Sequence, residues 1–274
     1  MFKKVILFVF VLTILIISVI AEENKTVILA TTTSVQDTGL LDVLMESFEN
    51  ETGYTVKPIA VGTGQALKLG MNGEVDIVWV HSPDDEKKFI EEGYGINRTT
   101  FMHNDFVVLG PASDPAGLKN AKSVVEGFKN IFQKNALFIS RGDQSGTHKK
   151  ELKIWKLAEV MPNKEKYNET GQGMAATLRV ADEKQSYCLA DRSSYLSLKK
   201  NISLVILFEG DKELLNYYSI ILVNPQKFPK VNVKGAEDFF DFLLSGKTKE
   251  VVENFGKKKF GQQLFFYDYK EKDK

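Results

Sequence analysis

The chain has 274 residues, enough for one large domain or for two lobes of about 100–150 residues each. Hydrophobic residues make up 43% of the chain and charged residues 26%, which is the composition of a globular protein with a full core. The 36 basic residues balance the 36 acidic ones, and this balance argues against a nucleic-acid partner because nucleic-acid-binding domains carry a basic excess.

The first 21 residues have the pattern of a secretory signal. Lys3 and Lys4 precede an uncharged run at 5–20, and the segment 18–21 at its end has small residues, Ser18 and Ala21, at the key positions of a cleavage site. A basic start, an apolar middle and a small-residue end are typical of a signal peptide, and the run is shorter than the roughly 20 residues that a membrane span needs. The sequence therefore predicts a signal peptide at 1–21 and an exported protein, periplasmic or at the cell surface. An uncleaved N-terminal anchor is the alternative.

The next part of the chain predicts alternating strands and helices. Strands are predicted at 26–31, 56–61 and 75–80, and each is followed by a turn and a helix. Pro58 indicates that the second strand lies at a sheet edge, because proline has no N–H to donate to a neighbouring strand. Alternation of this kind predicts an α/β fold with a mainly parallel sheet.

The second half continues the alternation. Further strands are predicted at 106–111, 136–139, 187–190, 204–208 and 217–223, and further helices at 123–132, 149–158, 174–184, 236–244 and 249–255. No stretch has the composition of a flexible linker, so two lobes would be joined by strands, and 106–109 and 217–223 are the natural crossings. The predicted lobe 1 comprises 22–108 plus 218–274, and the predicted lobe 2 comprises 109–217.

Three of the predicted strand-to-helix turns are rich in hydroxyl groups and glycine, and one of them carries an arginine. The residues predicted to bind a ligand are Thr32, Thr33, Ser34, Thr63, Gly64, Arg141, Ser145, Gly146 and Thr147. Helix N-termini attract anions, and ligands of open parallel sheets bind outside the carboxyl ends of strands. The turns therefore predict an oxyanion pocket. The alternative is that these residue types only form turns and cap helices.

The predicted pocket is rich in hydrogen-bond donors. Its turns contain only two carboxylates, Asp37 and Asp143, and Asp143 is close enough in sequence to Arg141 to hold the guanidinium in position. Such a pocket suits a fully ionised oxyanion, which accepts hydrogen bonds and donates none.

Other kinds of site have little support in the sequence. His81, His103 and His148 lack the spacing of a zinc site, and no cofactor is predicted. His81 ends a predicted strand and faces either the pocket or only the strand end, while His148 is expected to face solvent. Cys188, the single cysteine, is expected to be a buried apolar residue. Neither a nucleophile elbow nor a glycine-rich phosphate loop occurs.

Five segments resemble the tungstate-binding proteins of ABC uptake transporters. The two signature segments are TTTSVQDTGL at 31–40 and SRGDQSGTHKKE at 140–151. Further matches are AVGTGQAL at 60–67, GPASDPAG at 110–117 and LRVADE at 178–183. These motifs are long, and the resemblance covers nearly all of the chain after the predicted signal.

The resemblance implies a type II periplasmic-binding-protein fold, in which two α/β lobes joined by two crossings hold an anion in the cleft between them. It implies that the 31–34 turn donates hydrogen bonds from one lobe together with Thr63 and Gly64. Arg141, Ser145 and Thr147 would donate from the other lobe. The implied ligand is tungstate or molybdate, and the implied partner is an ABC transporter permease that receives it from a monomeric binding protein.

One loop of the chain also resembles a second family, and the chain differs from these families at particular positions. The loop around Arg141 also resembles that of phosphate-binding proteins, which use a cleft carboxylate to accept a proton from phosphate. The matching strand end here is Val80-His81-Ser82, without a carboxylate, and this favours tungstate or molybdate over phosphate. Family members often carry threonine where this chain has Cys188, so the contribution of that strand is open.

Three alternatives to a tungstate receptor stay open at this point. The first is a receptor for another tetrahedral oxyanion, such as sulfate or phosphate. The second is an enzyme on the same fold that acts on a phosphate ester through Ser145 or Cys188, although no general base lies at a recognised spacing. The third is a sensor domain that presents its bound state to a membrane partner.

Overall fold

A computed structural model describes residues 24–270, except for the side chain of Ser34. The predicted signal segment, 1–21, lies outside the described residues, as does 271–274. Within 24–270, no helix has both the length and the apolar composition needed to cross a membrane.

The described residues form an α/β fold. The strands are β1 (Thr26–Thr32), β2 (Thr55–Val61), β3 (Ile77–Val80), β4 (Gly95–Gly110), β5 (Phe138–Ser140), β6 (Tyr167–Glu169), β7 (Cys188–Asp191), β8 (Val205–Phe208), β9 (Leu215–Val223) and β10 (Phe266–Tyr267). The helices are α1 (Thr33–Thr38), α2 (Leu40–Thr52), α3 (Thr63–Met71), α4 (Pro83–Glu91), α5 (Val124–Gln133), α6 (Gly146–Leu157), α7 (Met174–Glu183), α8 (Arg192–Leu198), α9 (Val233–Leu243), α10 (Gly246–Asn254) and α11 (Lys257–Phe260). Two 3₁₀ turns lie at Leu118–Asn120 and Lys212–Leu214.

Lobe 1 is built around a sheet with the strand order β10-β4-β9-β3-β1-β2. β1 pairs in parallel with β2 and β3, whereas β9 is antiparallel to both β3 and β4. The predicted edge position of Pro58 is confirmed, because β2 ends the sheet. The sheet is mixed rather than mainly parallel as predicted. Only β1, β2 and β3, the strands of the repeating strand–helix units, pair in parallel. β9 and β10 run in the opposite direction, whereas β4 runs in the same direction as β3 but lies between β9 and β10.

Lobe 2 contains the end of β4 and the strands β5 to β8. β4 pairs antiparallel with β7 and with β8. β5 pairs in parallel with β6, and a parallel bridge joins Phe138 of β5 to Tyr187, next to the start of β7. This arrangement places the carboxyl end of β5 beside β6, and the loop that follows β5 leads directly into α6.

The long strand β4 joins the two lobes. Asp105 pairs with Leu215 of β9 in lobe 1, whereas the next residue, Phe106, pairs with Asp191 of β7 in lobe 2. Arg192 donates from Nε and Nη2 to the two carboxylate oxygens of Asp105, at 2.8 and 2.5 Å. The strand pairing therefore changes lobe between 105 and 106. The lobe boundaries at 108 and 218 stay a prediction.

Each lobe has its own core of aromatic and branched side chains. In lobe 1, Phe48 packs against Phe239 with ring centroids 4.9 Å apart, and in lobe 2, Phe128 packs against Trp155 at 4.4 Å. Leu196 of α8 contacts both the core of lobe 2 and that of lobe 1. The lobes are thus separately packed but touch beside the crossings.

Sequence periodicity does not predict several short elements: α1, β6, α8, β10 and α11. These elements are shorter than the windows in which a helical or strand period can be recognised. The sequence also predicts only the end of β4, because its first half contains partly exposed polar residues such as Arg98 and Thr99.

Candidate anion-binding cleft

A cleft of about 920 Å³ lies between the two lobes. Eight of the nine predicted ligand-binding residues line it: Thr32, Thr33, Thr63 and Gly64 from lobe 1, and Arg141, Ser145, Gly146 and Thr147 from lobe 2. The ninth, Ser34, is the second residue of α1, and its side chain lies outside the described part of the structure. Residues from three separate sequence motifs therefore meet in one space.

Lobe 1 presents two helix N-termini to the cleft. Thr32 ends β1 and precedes α1, and Thr63 is the first residue of α3. The side chains of Thr32 and Thr63 are buried, with 3% and 9% exposure. The sequence predicts a turn at 62–65, but α3 already begins at Thr63. The N–H groups of Thr63 and Gly64 therefore belong to a first helical turn, where backbone donors have no acceptor within the helix.

Lobe 2 presents the segment 140–148, which we call the anion loop. It connects β5 to α6, and Arg141 lies in it with 17% side-chain exposure. Arg141 Nη2 donates to Asp143 Oδ2 at 2.5 Å, and the Ser145 N–H donates to Asp143 Oδ1 at 3.2 Å. Burial raises the pKa of Asp143, but the hydrogen bonds from Ser145 and the Arg141 charge together hold that pKa below its ordinary value. Asp143 is therefore a charged group that positions the guanidinium.

The guanidinium of Arg141 retains an unused donor. Among residues 24–270, its buried Nε has no hydrogen-bond acceptor. A buried donor without a partner costs about 1–3 kcal/mol, and more when the group is charged. An oxyanion in the cleft would supply the missing acceptor and a charge of the opposite sign.

Hydrogen bonds within the anion loop fix its backbone. The Gly142 N–H donates to Ser140 Oγ at 3.2 Å, and the Gln144 N–H donates to His148 Nδ1 at 3.1 Å. The His148 N–H donates to Ser145 Oγ at 3.3 Å, which makes Ser145 the N-cap of α6. The expectation that His148 faces solvent is wrong: it is 2% exposed, because the loop curls its backbone back onto the ring.

His81 follows β3 directly and lines the cleft, which is the first of its two predicted placements. Its Nδ1 lies 3.0 Å from Asn216 Oδ1, and the Asn216 amide donates to Asn104 Oδ1 and to Tyr218 Oη, both at 2.9 Å. Since the Asn216 oxygen acts as the acceptor, His81 Nδ1 carries the proton. Burial lowers the pKa of His81 to about 4, and Lys150 and Lys149 add to that effect against the Asn216 hydrogen bond.

The neutral state of His81 makes stability depend on pH. The pKa of His81 is about 4 in the folded protein and 6.5 for the unperturbed group, so the unfolded chain takes up a proton between pH 6.5 and 4 that the folded protein does not. The free energy of unfolding therefore falls as the pH falls through this range. We expect His81→Gln to remove about 1–2 kcal/mol of that decrease. Urea unfolding of wild type and His81→Gln at pH 7 and pH 4.5 measures this decrease in the free energy of unfolding. An equal decrease in the two proteins would contradict the assignment of the pH dependence to His81.

The sequence misses part of the cleft. Asp191, the N-cap of α8, lines it from lobe 2, opposite Asp37 of lobe 1. Burial and repulsion from Asp191 raise the pKa of Asp37, while Arg141 lowers it. The cleft thus holds carboxylates from both lobes. The absence of a carboxylate after Val80 therefore does not exclude a proton-accepting group near the ligand. Asp191 lies outside the three donor-rich turns, so no local motif indicates it.

Comparisons with known proteins agree with this architecture. The family model of the PBP superfamily domain matches residues 19–247. The tungstate-binding protein TupA of Peptoclostridium acidaminophilum is 45% identical to this chain over 246 residues, which cover 89% of this chain and 86% of that protein. This chain belongs to the tungstate-binding protein family of the PBP superfamily.

Solved structures of family members have the same fold. The tungstate binding protein TupA of Desulfovibrio alaskensis matches with a TM-score of 0.83 and 44% identity, over 89% of this chain and 99% of that chain. The tungstate ABC transporter structure from Geobacter sulfurreducens matches with a TM-score of 0.74 and 46% identity, over 84% of this chain and 98% of that chain. The predicted type II periplasmic-binding-protein fold is confirmed.

Proposed function

We propose that this chain captures tungstate in the cleft between its lobes and delivers it to the permease of an ABC uptake transporter. Members of its family are named for tungstate binding, and the donor set of the cleft suits the same ligand. The observation that carries the proposal is the buried Nε of Arg141, which has no acceptor among residues 24–270. Arg141 lines the cleft into which two helix N-termini of lobe 1 also open. An oxyanion satisfies that donor and the first-turn amides together.

The ligand is held by hydrogen bonds and charge, without direct coordination of its metal atom by the protein. Within the described residues, no group of three or more histidine, cysteine, aspartate or glutamate side chains is placed to hold a metal ion. Molybdate has the same shape and charge as tungstate and is the nearest competitor. The protein acts outside the cytoplasm as a monomer, either released from its signal segment or held by it at the membrane.

No catalytic step is part of this proposal. Cys188 is fully buried among apolar side chains, and burial raises the pKa of its thiol, so it stays protonated. Ser145 Oγ caps α6, and His148 cannot take its proton because His148 Nδ1 already accepts from the Gln144 N–H. Both candidate nucleophiles therefore lack activation.

A panel of oxyanions in a thermal-shift measurement tests the proposal. Tungstate at 100 times its Kd should stabilise the folded protein by about 2.7 kcal/mol, which raises the Tm by about 5–10 °C for a chain of this size. We expect tungstate and molybdate to give such shifts and sulfate to give none. Equal shifts with all of these anions, or none with tungstate, would contradict the proposal.

Phosphate is a second candidate, and Asp37 favours it. Its carboxyl group lies in the cleft with a raised pKa and could accept a hydrogen bond from a protonated phosphate. Competition titrations between pH 6 and 8.5 separate the two ligands, because phosphate changes its protonation near neutrality and tungstate does not. Phosphate that displaces tungstate at equal concentration would favour the second candidate.

A further inference from the structure

Glu151 is a buried carboxyl group that the proposed function leaves without a role. It lies on α6, behind the anion loop, and is 1% exposed. Buried carboxyl groups of this kind normally pair with a cation. The groups that stabilise its charge are three neutral donors, and no lysine or arginine is among them.

The three donors link Glu151 to the strands behind the loop. Tyr167 Oη of β6 donates to Glu151 Oε1 at 2.6 Å, and Trp155 Nε1 donates to the same oxygen at 3.3 Å. The hydroxyl of Ser140, the last residue of β5, also favours the charged form of Glu151. Ser140 Oγ in turn accepts from the Gly142 N–H at 3.2 Å. Glu151 therefore supports the two residues on either side of Arg141.

The surroundings of Glu151 disfavour its negative charge. Burial is the largest effect and, with repulsion from Glu169, raises the pKa of Glu151 to about 7 against the hydrogen bonds from Tyr167, Ser140 and Trp155. The thiol of Cys188 also lies within electrostatic range. His148, on the same helix, has Nε2 3.6 Å from Glu169 Oε1 and provides no hydrogen bond to Glu151. At neutral pH, a small change in the surroundings of Glu151 therefore shifts the balance between its protonated and ionised forms.

We propose that Glu151 is a positioning residue whose protonation is coupled to anion capture: the protein takes up a proton from solvent at Glu151 when the oxyanion binds to the anion loop. This inference rests on the proposed function. A doubly charged anion beside Arg141 repels a carboxylate that lies directly behind the loop, and closure of the cleft excludes the water that would screen the two charges. Protonation converts the carboxylate to a neutral acid, whose Oε1 still accepts the hydrogen bonds from Tyr167 and Trp155.

The coupling predicts the direction of the pH dependence. The anion-bound form holds the proton more tightly than the free form, so affinity decreases as the pH rises through neutrality. We expect tungstate to bind about three- to tenfold more weakly at pH 8.5 than at pH 6, on Coulomb estimates for charges separated by one layer of protein. The ligand itself stays fully ionised over this range, so the change arises in the protein.

Titration calorimetry with tungstate in two buffers of different ionisation enthalpy measures the proton directly. At pH 7, we expect wild-type protein to take up about 0.3–0.4 of a proton per tungstate bound, since the pKa of Glu151 is about 7 in the free protein and a three- to tenfold change in affinity corresponds to a rise of about one pKa unit or less. Glu151→Gln keeps the shape and the hydrogen bonds but cannot titrate. We expect it to show no uptake at pH 7 and an affinity that is constant between pH 6 and 8.

Two controls separate this role from a general structural one. Glu169→Gln removes a charge from the same neighbourhood on an exposed side chain, and should retain the proton uptake with a slightly lower midpoint pH. Lys150, with a pKa lowered to about 8 by burial, would take up protons only at higher pH and should do so equally in Glu151→Gln. The wild-type uptake profile from pH 6 to 8.5 supplies the test even if the variant folds poorly.

The outcomes are distinct. Tungstate binding without proton uptake at pH 7, or equal uptake in wild type and Glu151→Gln, overturns this inference and leaves the proposed function intact. Absence of any tungstate binding heat in both buffers overturns the proposed function, and the proton coupling with it.

Discussion

Replacing Arg141 with alanine is expected to weaken tungstate binding by a factor of about 100 to 1000, the equivalent of about 3–4 kcal/mol. The variant loses the guanidinium charge and the Nε donor that has no acceptor among residues 24–270. It also removes the cation that now lies 2.5 Å from Asp143, so a carboxylate held only by the Ser145 N–H remains beside the anion. Calorimetric titration with tungstate at pH 7 measures the loss.

Arg141→Lys is the matched variant for this experiment. It keeps the positive charge but replaces the planar set of donors with a single ammonium group, which cannot hold Asp143 and an oxyanion in the same geometry. We expect an affinity between those of wild type and Arg141→Ala, about tenfold below wild type. If Arg141→Ala binds tungstate within threefold of wild type, the guanidinium is not a ligand and the proposed arrangement of the cleft is wrong.

The cleft could be predicted from the sequence where its donors lie in local motifs. Thr32 and Thr63 follow two neighbouring parallel strands of lobe 1, and Arg141, Ser145 and Thr147 follow β5 of lobe 2, so position at strand ends was enough to place each set at the carboxyl edge of its own sheet. That the two edges face each other across one cleft followed only from the resemblance to a two-lobed family. Whether these residues bind the anion remains a proposal.

The rest of the cleft depends on contacts between distant segments. Asn104 and Asn216 lie opposite each other on the two crossing strands and hold His81 from behind, although 112 positions separate them in the chain. Asp191 reaches the cleft only because β7 pairs with β4 beside the crossing. No periodicity or motif encodes these contacts. The burial of His148 follows likewise from the left-handed backbone of Gln144, with φ of 60°, which a helical pattern cannot indicate.

Lobe 2 approaches lobe 1 closely at Gly146, and closure of the lobes over a ligand would depend on this approach. A Cβ atom at this position would lie 2.3 Å from Cε1 of His81, well inside contact distance. The His81 ring cannot easily move away, because Asn216 fixes it at 3.0 Å and is itself held by Asn104 and Tyr218. Nearby, Lys149 and Asp85 form an exposed ion pair between the lobes at 3.7 Å. The lobes therefore lie so close together at this point that only glycine fits at position 146.

We expect Gly146→Ala to weaken tungstate binding about 10- to 100-fold by preventing this closure, because forcing a methyl group into a packed contact costs about 1–3 kcal/mol. The thermal stability of the anion-free protein should change little, since that protein can relieve the clash by opening. Calorimetry measures the affinity. Small-angle scattering should show that tungstate makes the wild-type protein more compact and leaves the variant extended.

Two further variants decide whether the effect arises from the contact with His81. Gly173→Ala is the matched control: it also lies at a helix start lining the cleft from lobe 2, but a Cβ there meets no described atom within 4 Å, so its affinity should equal that of wild type. In a His81→Ala background the obstructing ring is gone, and Gly146→Ala should then cost less than threefold, a non-additivity that identifies direct contact. Equal losses in both backgrounds would show that Gly146 acts through the backbone of α6, and closure against His81 would no longer explain the binding defect.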